Sequence, residues 1–423
     1  MTTNLTELKP AESTDRSRPR PGPSKLAMLA LSVAFSGVLF FALDGFRTAA
    51  LHRHHAIAAP ADSCQVRDPN RHHVFKPNCS STEYWGTDSY KLFTNSLGFR
   101  DEKIRNVPPT DPRPRILMLG NSYVEAKLAW QKSFVGRVAQ HFPQYEFFNG
   151  GLSGYSPSNF LNTTRLVLNQ GVEIDEVIVF IDNSAVQLEA AFYHDIDASG
   201  DVAGIERDQQ QSAATWQARV RGFIGRHFAL TYNLIRFFDR IQRRLVLHGF
   251  YHLPGDYFGD PFDMEVSGWS YRKVNESSRF PAGYAPLGVE GGVTKAQAKM
   301  TELWQELARR NIPISVVVYP HLPQVVHDTA ESREVRMWRD WCAGKCKRFV
   351  SVFPAFYEVK DQCPPSEAGC WYPKLFVVGD IHYAAGGNAL VADAVIASLT
   401  QDPPVKVVRT EPKPASSQGF GAH

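Results

Sequence analysis

The chain has 423 residues, of which 43% are hydrophobic and 21% charged, with a formal net charge of +3. That balance suits a globular protein with a substantial core, in one large domain or two smaller ones. The charge is too small to draw the chain to nucleic acid, and neither an aromatic-and-basic interleaving nor a zinc-ligand spacing changes that.

Residues 1–25 are polar and rich in Pro and Arg, as in Arg16-Ser17-Arg18-Pro19-Arg20-Pro21. They predict a disordered cytoplasmic tail. Leu26 to Leu43 is an uncharged run of 18 residues, at the lower edge of the ~20 needed to span a bilayer. Arg16, Arg18, Arg20 and Lys25 precede it, which keeps the N-terminus cytoplasmic and puts the rest of the chain outside the inner membrane. A cleaved signal peptide is the rival. Its best small-residue site, Ala56-Ile57-Ala58, lies rather far from the apolar run, which favours an uncleaved single-pass anchor over residues 26–43.

Residues 44–110 read as a linker and lead-in. His52, His54, His55, His72 and His73 lie there without an acidic or Cys neighbour, so they are expected to be solvated loop histidines and not metal ligands. Six cysteines agree with an oxidising compartment. Cys64 and Cys79 flank a short loop and are expected to pair. Cys342, Cys346, Cys363 and Cys370 are expected to pair among themselves, in a pattern left open.

The core over residues 111–400 alternates strands and helices. Short apolar runs at Arg115–Leu119, Tyr145–Phe148, Glu176–Ile181, Ile314–Tyr319 and Arg348–Phe353 suit strands covered on both faces. Ser156-Pro157 is a helix start and Gly171 a stop. After Thr294, Met300, Leu303, Trp304 and Leu307 make one apolar helix face, and a last helix is expected over about 388–400. The pattern predicts an α/β fold, a doubly wound, flavodoxin-like parallel sheet of about five strands with helices on both faces. Residues 185–293 interrupt the alternation. They form a mostly helical insertion with an aromatic and basic stretch near 216–247, placed to shape substrate binding or to pack as a lid. Residues 401–423 read as a disordered tail.

Ser122 follows the first of these strands in Gly120-Asn121-Ser122-Tyr123. The chain later carries Gly379-Asp380-Ile381-His382. A lone serine at a strand-to-helix turn would be read as a helix N-cap. With an acid and a histidine together at the domain's end, the three become the parts of a nucleophilic triad. His321, in Tyr319-Pro320-His321, is a rival histidine.

These residues resemble the SGNH, or GDSL-type, hydrolase family. Gly120-Asn121-Ser122 is similar to its Gly-Asp-Ser block, with Asn in place of Asp and no following glycine. Asn149-Gly150-Gly151-Leu152-Ser153-Gly154 is similar to its Asn-x-Gly-x-x-Gly block. Ile181-Asp182-Asn183-Ser184 keeps only the asparagine of the third. Asp380-x-His382 has the closer spacing seen in the alginate-acetyltransferase-like branch. Thr94-Asn95-Ser96-Leu97-Gly98-Phe99-Arg100 looks like the lead-in loop of many extracytoplasmic members, and is read as packing against the domain and not as catalytic. The resemblance implies Ser122 as nucleophile, His382 as general base and then acid, and Asp380 as its orienting carboxylate. It implies an oxyanion hole from the backbone N–H groups of Ser122 and Gly154 and the amide of Asn183. No cofactor or metal is expected.

The function expected is a membrane-anchored, periplasmic serine esterase or O-acyltransferase acting on acyl esters, such as acetyl esters, of a cell-envelope glycan or on a small ester. The alternative is a non-catalytic glycan-binding or scaffold protein that keeps the fold. Asn121 and the eroded third block favour the alternative. Intact Ser122, Asp380 and His382 favour the enzyme.

Overall fold

A computed structural model describes residues 24–58, 64–85, 88–193, 265–271, 283–367, 369–377 and 380–407, with isolated positions between 224 and 238. The expected N-terminal tail up to residue 23, most of the aromatic stretch near 216–247 and the end of the C-terminal tail lie outside the described residues.

In chain order, α1 (Lys25–Ala58) precedes β1 (Gln65–Asp68), β2 (His72–Phe75), β3 (Ser80–Trp85), β4 (Asp88–Thr94) and β5 (Arg100–Asp101). Then come β6 (Arg115–Leu119), α2 (Ser122–Glu125), α3 (Phe134–His141), β7 (Glu146–Asn149), α4 (Pro157–Asn169), β8 (Glu176–Ile181) and α5 (Ser184–Gln187). The C-terminal part holds α6 (Gly288–Ala308), β9 (Ile314–Val318), α7 (Leu322–His327), α8 (Arg333–Cys342), β10 (Arg348–Ser351), α9 (Phe353–Asp361), α10 (Tyr372–Leu375) and α11 (Ala385–Gln401).

The main sheet has eight strands in the order β10-β9-β8-β6-β7-β5-β4-β3. The five strands expected from the apolar runs form its parallel part. The three further strands are antiparallel and come from the segment expected to be a linker and lead-in. They escape a search for apolar runs because sequences such as Ser80-Ser81-Thr82-Glu83 are polar and are held by ladder hydrogen bonds more than by side-chain burial. β1 and β2 form a separate two-stranded sheet.

Alternation on the central strands sends side chains to two cores. Leu117, Leu119, Val177, Val179, Val316 and Val318 pack with α4, α6 and α8 residues such as Phe160, Met300, Leu303 and Trp338. Ile116, Met118, Ile178, Phe180 and Val317 pack on the other face with Phe134, Leu322, Val391 and Val395 of α3, α7 and α11. A strand buried on both faces favours apolar residues in both directions, which is why β6, β8 and β9 are mostly apolar, with Arg115, Glu176 and Ser315 confined to their amino ends. Met300, Leu303 and Leu307 are fully buried on one face of α6, each worth roughly 1.5–3 kcal/mol of transfer free energy. Ser156 begins α4 with a capping box to Asn159 and Pro157 in the first turn. Gly171, at φ 72°, takes the left-handed conformation just past its end.

The amino ends of the strands carry charge. Arg115 of β6 meets Glu146 of β7 at 2.7 Å, and Arg348 of β10 pairs with Glu176 of β8. All four are buried, so this edge is locked by desolvated ion pairs whose loss on one side would strand a charge. The opposite, carboxyl edge carries the loops after β6, β7, β8 and β9.

Among the described residues, one helix is long and apolar enough to cross a membrane. Met28–Ala49 within α1 spans 22 residues with mean hydropathy 1.9. The helix continues well past the 26–43 run read from the sequence. Asp44, which ends that run, is buried and accepts from the backbone N–H groups of Leu230 and Thr231, each at 2.8 Å. His52, His54 and His55 fall in the same helix.

The six cysteines pair as Cys64–Cys79, Cys342–Cys346 and Cys363–Cys370. The first pairing is the expected one, and the others resolve the late cluster into two local bridges. Cys64–Cys79 closes a separation of 15 residues, worth about 3 kcal/mol in the chain-entropy picture, less any strain. The double variant Cys64→Ser, Cys79→Ser should lose about that much in urea denaturation at constant m. A loss below about 0.5 kcal/mol would show that the bridge constrains little in the unfolded chain.

Candidate active site

The turn after β6 is shaped by what cannot fit there. A Cβ on Gly120 would lie 2.2 Å from Val124 Cγ2 and 3.0 Å from the Phe180 carbonyl oxygen, so only glycine allows the strand to pass into α2. Asn121, not Ser122, is the N-cap: its side chain accepts from the Tyr123 N–H. That answers the N-cap reading of Ser122. With the cap supplied by its neighbour, the Ser122 hydroxyl is left to face across the site.

Ser122 Oγ lies 2.8 Å from His382 Nε2. His382 Nδ1 lies 2.6 Å from Asp380 Oδ1, which also accepts the His382 backbone N–H at 3.0 Å. A carboxylate only accepts, so Nδ1 carries the proton and Nε2 presents its lone pair to the serine. Burial pushes the Asp380 carboxyl up, but hydrogen bonding and charge from the His382 ring, with backbone N–H groups, outweigh it and hold the carboxyl below its ordinary value.

Two tyrosines hold the Asp380–His382 loop. Tyr123 Oη, on the residue after Ser122, donates to the Ile381 carbonyl at 2.7 Å. Tyr383 Oη donates to the Pro320 carbonyl at 2.7 Å. The loop also closes on itself, with the Val377 N–H on the His382 carbonyl and the Ala384 N–H on the Leu375 carbonyl. Nothing in the sequence marked Tyr123, because a tyrosine beside a serine has no pattern of its own.

A second carboxylate–histidine pair lies beneath. His321 Nε2 is 2.9 Å from Asp182 Oδ2, and both residues are buried. Asn121 Nδ2 donates to the same Asp182 at 2.6 Å, and Ser184 donates through both N–H and Oγ. The rival histidine is therefore bound to Asp182. The Tyr123 ring lies near both imidazoles, with centroids 5.2 Å from His321 and 5.1 Å from His382.

The expected oxyanion groups fall at the carboxyl ends of three adjacent parallel strands: Ser122 after β6, Gly154 after its neighbour β7, and Asn183 after its other neighbour β8. A cavity of about 190 Å³ is lined by Ser122 and His382 but not by Gly154 or Asn183. The Gly154 carbonyl accepts from Tyr193 Oη at 2.7 Å, and Gly154 takes φ 75°. Asn183 is fully buried, its carbonyl accepting from Trp269 of the insertion at 2.8 Å. Gly151 serves packing: a Cβ there would stand 2.4 Å from Val124 Cβ.

His72 and His73 lie in β2 and not in a solvated loop. His73 Nε2 donates to the Ser153 carbonyl at 2.8 Å, and the two Nδ1 atoms are 2.6 Å apart. Burial and then the neighbouring His72 push His73 down to about 4, so it is neutral near pH 7 and braces the loop that carries Gly154. Among the described residues, no three His, Cys, Asp or Glu side chains group to hold a metal ion.

The lead-in loop ends on Arg100, which is buried and reaches the carbonyls of Glu125, Ala126 and Leu128. It braces the segment just after Ser122, more than the plain packing expected of this loop.

No family model matches the sequence, and no curated protein matches it. Among solved structures, the chain is similar to a catalytic mutant of an acetylxylan esterase from Geobacillus stearothermophilus, at 11% identity over 69% of this chain and 96% of that one, with TM-score 0.35. It is also similar to a member of the lipolytic G-D-S-L family from Veillonella parvula, at 11% identity over 68% and 99%, with TM-score 0.33, and to TesA, at 10% identity over 68% and 98%, with TM-score 0.33. At this identity and these scores these neighbours say nothing of the substrate here.

Asp182 gives a test in pH. Burial alone would raise its carboxyl, but charge and hydrogen bonding from His321, then hydrogen bonds from Ser184 and Asn121, lower it to about 2. The unfolded value is about 3.9. The folded value is the lower, so the stabilisation is fully present above the unfolded value and is lost as pH falls through the folded one. In urea denaturation, the stability gap between the natural chain and Asp182→Asn should shrink from about pH 5 to about pH 2. A gap that stays constant over that range would contradict the assignment.

Proposed function

We propose that this chain is an SGNH-type serine esterase or O-acyltransferase that works through an acyl-enzyme. The observation that carries the reading is the relay from Ser122 through His382 to Asp380, in the order and tautomer a nucleophilic serine needs. Ser122 Oγ attacks the acyl carbonyl while His382 Nε2 takes its proton. The tetrahedral intermediate collapses, the ester oxygen leaves with the proton held on Nε2, and Ser122 carries the acyl group. Water then attacks in the esterase, or a sugar hydroxyl in the transferase, with His382 again removing the proton. Asp380 fixes the ring and stabilises the imidazolium. The Ser122 N–H, in the first turn of α2, is the first oxyanion donor. The Gly154 N–H and the Asn183 amide are proposed as the second and third, and Asn183→Ala should then lower kcat by about 10²-fold.

The acyl group is short. A cavity of about 190 Å³ is below the roughly 300 Å³ at which pockets enclose a drug-sized ligand. An acetyl group fits it with room to spare. An acylated cell-envelope glycan as the alcohol part rests on location and on the resemblance.

Ser122→Ala and His382→Ala should each lower turnover of 4-nitrophenyl acetate by about 10³-fold or more, and the double variant should be little worse, since the two act as a unit. Asp380→Asn should cost less than either. A fluorophosphonate should label the natural chain and not Ser122→Ala. An active Ser122→Ala enzyme, or a natural chain that resists labelling, would sink the triad. Free acid as product assigns the esterase, and acyl sugar assigns the transferase.

The apolar helix with its cationic flank, and three disulfides, support a single-pass anchor with the catalytic domain in the periplasm. A reporter that works only outside the cytoplasm, fused after His423, should be active. Silence there, with a cytoplasmic reporter active instead, would overturn the topology.

A further inference from the structure

Lys127 and Lys132 are among the walls of the cavity at Ser122, and among the described residues no aspartate or glutamate lines it. Of the nearby carboxylates, one offsets the charge of Lys127 and the other lies behind His382, which leaves Lys132 as the uncompensated charge of the lining. Glu125 is buried against Lys127 and accepts both the N–H and the hydroxyl of Ser153, at 2.7 and 2.5 Å. Asp380 is held by the ring and backbone of His382.

Lys132 stands apart from Lys127. It ends the short turn Trp130–Lys132, is exposed, and its ammonium meets no acid among the described residues. The adjoining wall is the start of α11, where Ala384 supplies no side-chain cap. The unpaired N–H groups of that first turn add positive potential to that of the lysines. In a concave site with walls of low dielectric, charge of one sign selects a ligand of the other.

Lys132 is the exposed charged residue of the lining, so the part of an ester that extends from Ser122 toward solvent passes beside it. We propose that the substrate is an anionic acyl ester, one bearing a carboxylate or phosphate near the ester oxygen, with that group against Lys132 and Lys127 behind it. This rests on the acyl-ester reading of the site.

The test separates the two readings. The full-length chain carrying Ser122→Ala holds the ligand without turning it over. Calorimetry would compare O-acetylated methyl galacturonide with its neutral galactoside, and with an O-acetylated sugar phosphate. At low salt at least one anionic sugar should bind about fivefold or more tighter than the neutral one, the size of an exposed ion pair. That preference should weaken at high salt. Lys132→Gln should reduce it and Lys132→Glu should abolish or reverse it. The stronger of the two anions identifies the group. Equal binding of charged and neutral sugars, or a preference untouched by Lys132→Glu, overturns the inference. Hydrolysis of 4-nitrophenyl acetate by the natural chain in that event leaves the esterase standing. Conversely, an anion preference in a chain that hydrolyses no ester removes the esterase and leaves the anion site.

Discussion

The structure depends on β6 being held in parallel between β7 and β8. Parallel pairing points three carboxyl ends the same way and delivers the turns after Leu119, Asn149 and Ile181 to one edge. It also demands cover on both faces, which the α4, α6 and α8 layer and the α3, α7 and α11 layer supply. The amino edge, pinned by buried Arg115–Glu146 and Arg348–Glu176 pairs, gives the loops opposite a rigid base. Ligands in such sheets bind at the carboxyl edge because only there do adjacent loops diverge.

Around Ser122 the polar groups divide into two tiers. The upper tier, Asp380 and His382, reaches the hydroxyl. The lower tier, His321, Asp182 and Asn121, reaches the cap of the helix that Ser122 begins. Tyr123 lies between them and ties the helix to the upper loop through Ile381. Asn121 is paired here with a buried carboxylate across the sheet edge. An aspartate at 121 would set two carboxylates 2.6 Å apart and force one to take up a proton. The amide at 121 and the carboxylate at 182 thus suit each other.

Support from before the parallel strands is of the same kind. Arg100 offers its guanidinium to backbone carbonyls after Ser122, and His73, neutral in its half-buried setting, holds the Ser153 carbonyl. Both come from the segment between the apolar helix and the domain. That segment is therefore part of the site's scaffold and not a tether, and the Cys64–Cys79 bridge closes within it.

The five parallel strands, the start of α4, the apolar face of α6 and the Cys64–Cys79 pair were legible in the chain alone. Each is local: an apolar run, a cap with a proline, a spacing of three and four, two cysteines about a short loop. So were Ser122, Asp380 and His382 as types and in their order. Which histidine meets the serine was not local, since His321 and His382 both follow plausible strand or loop signals. The fold decided it by burying His321 on Asp182 and by bending residues 380–382 so that one imidazole nitrogen meets the carboxylate and the other the hydroxyl. The antiparallel strands before β6, the hold of His73 on the Ser153 carbonyl and the bracing by Arg100 were equally hidden. Each depends on a partner far along the chain, and an interaction between distant residues leaves no periodicity in the sequence near either one.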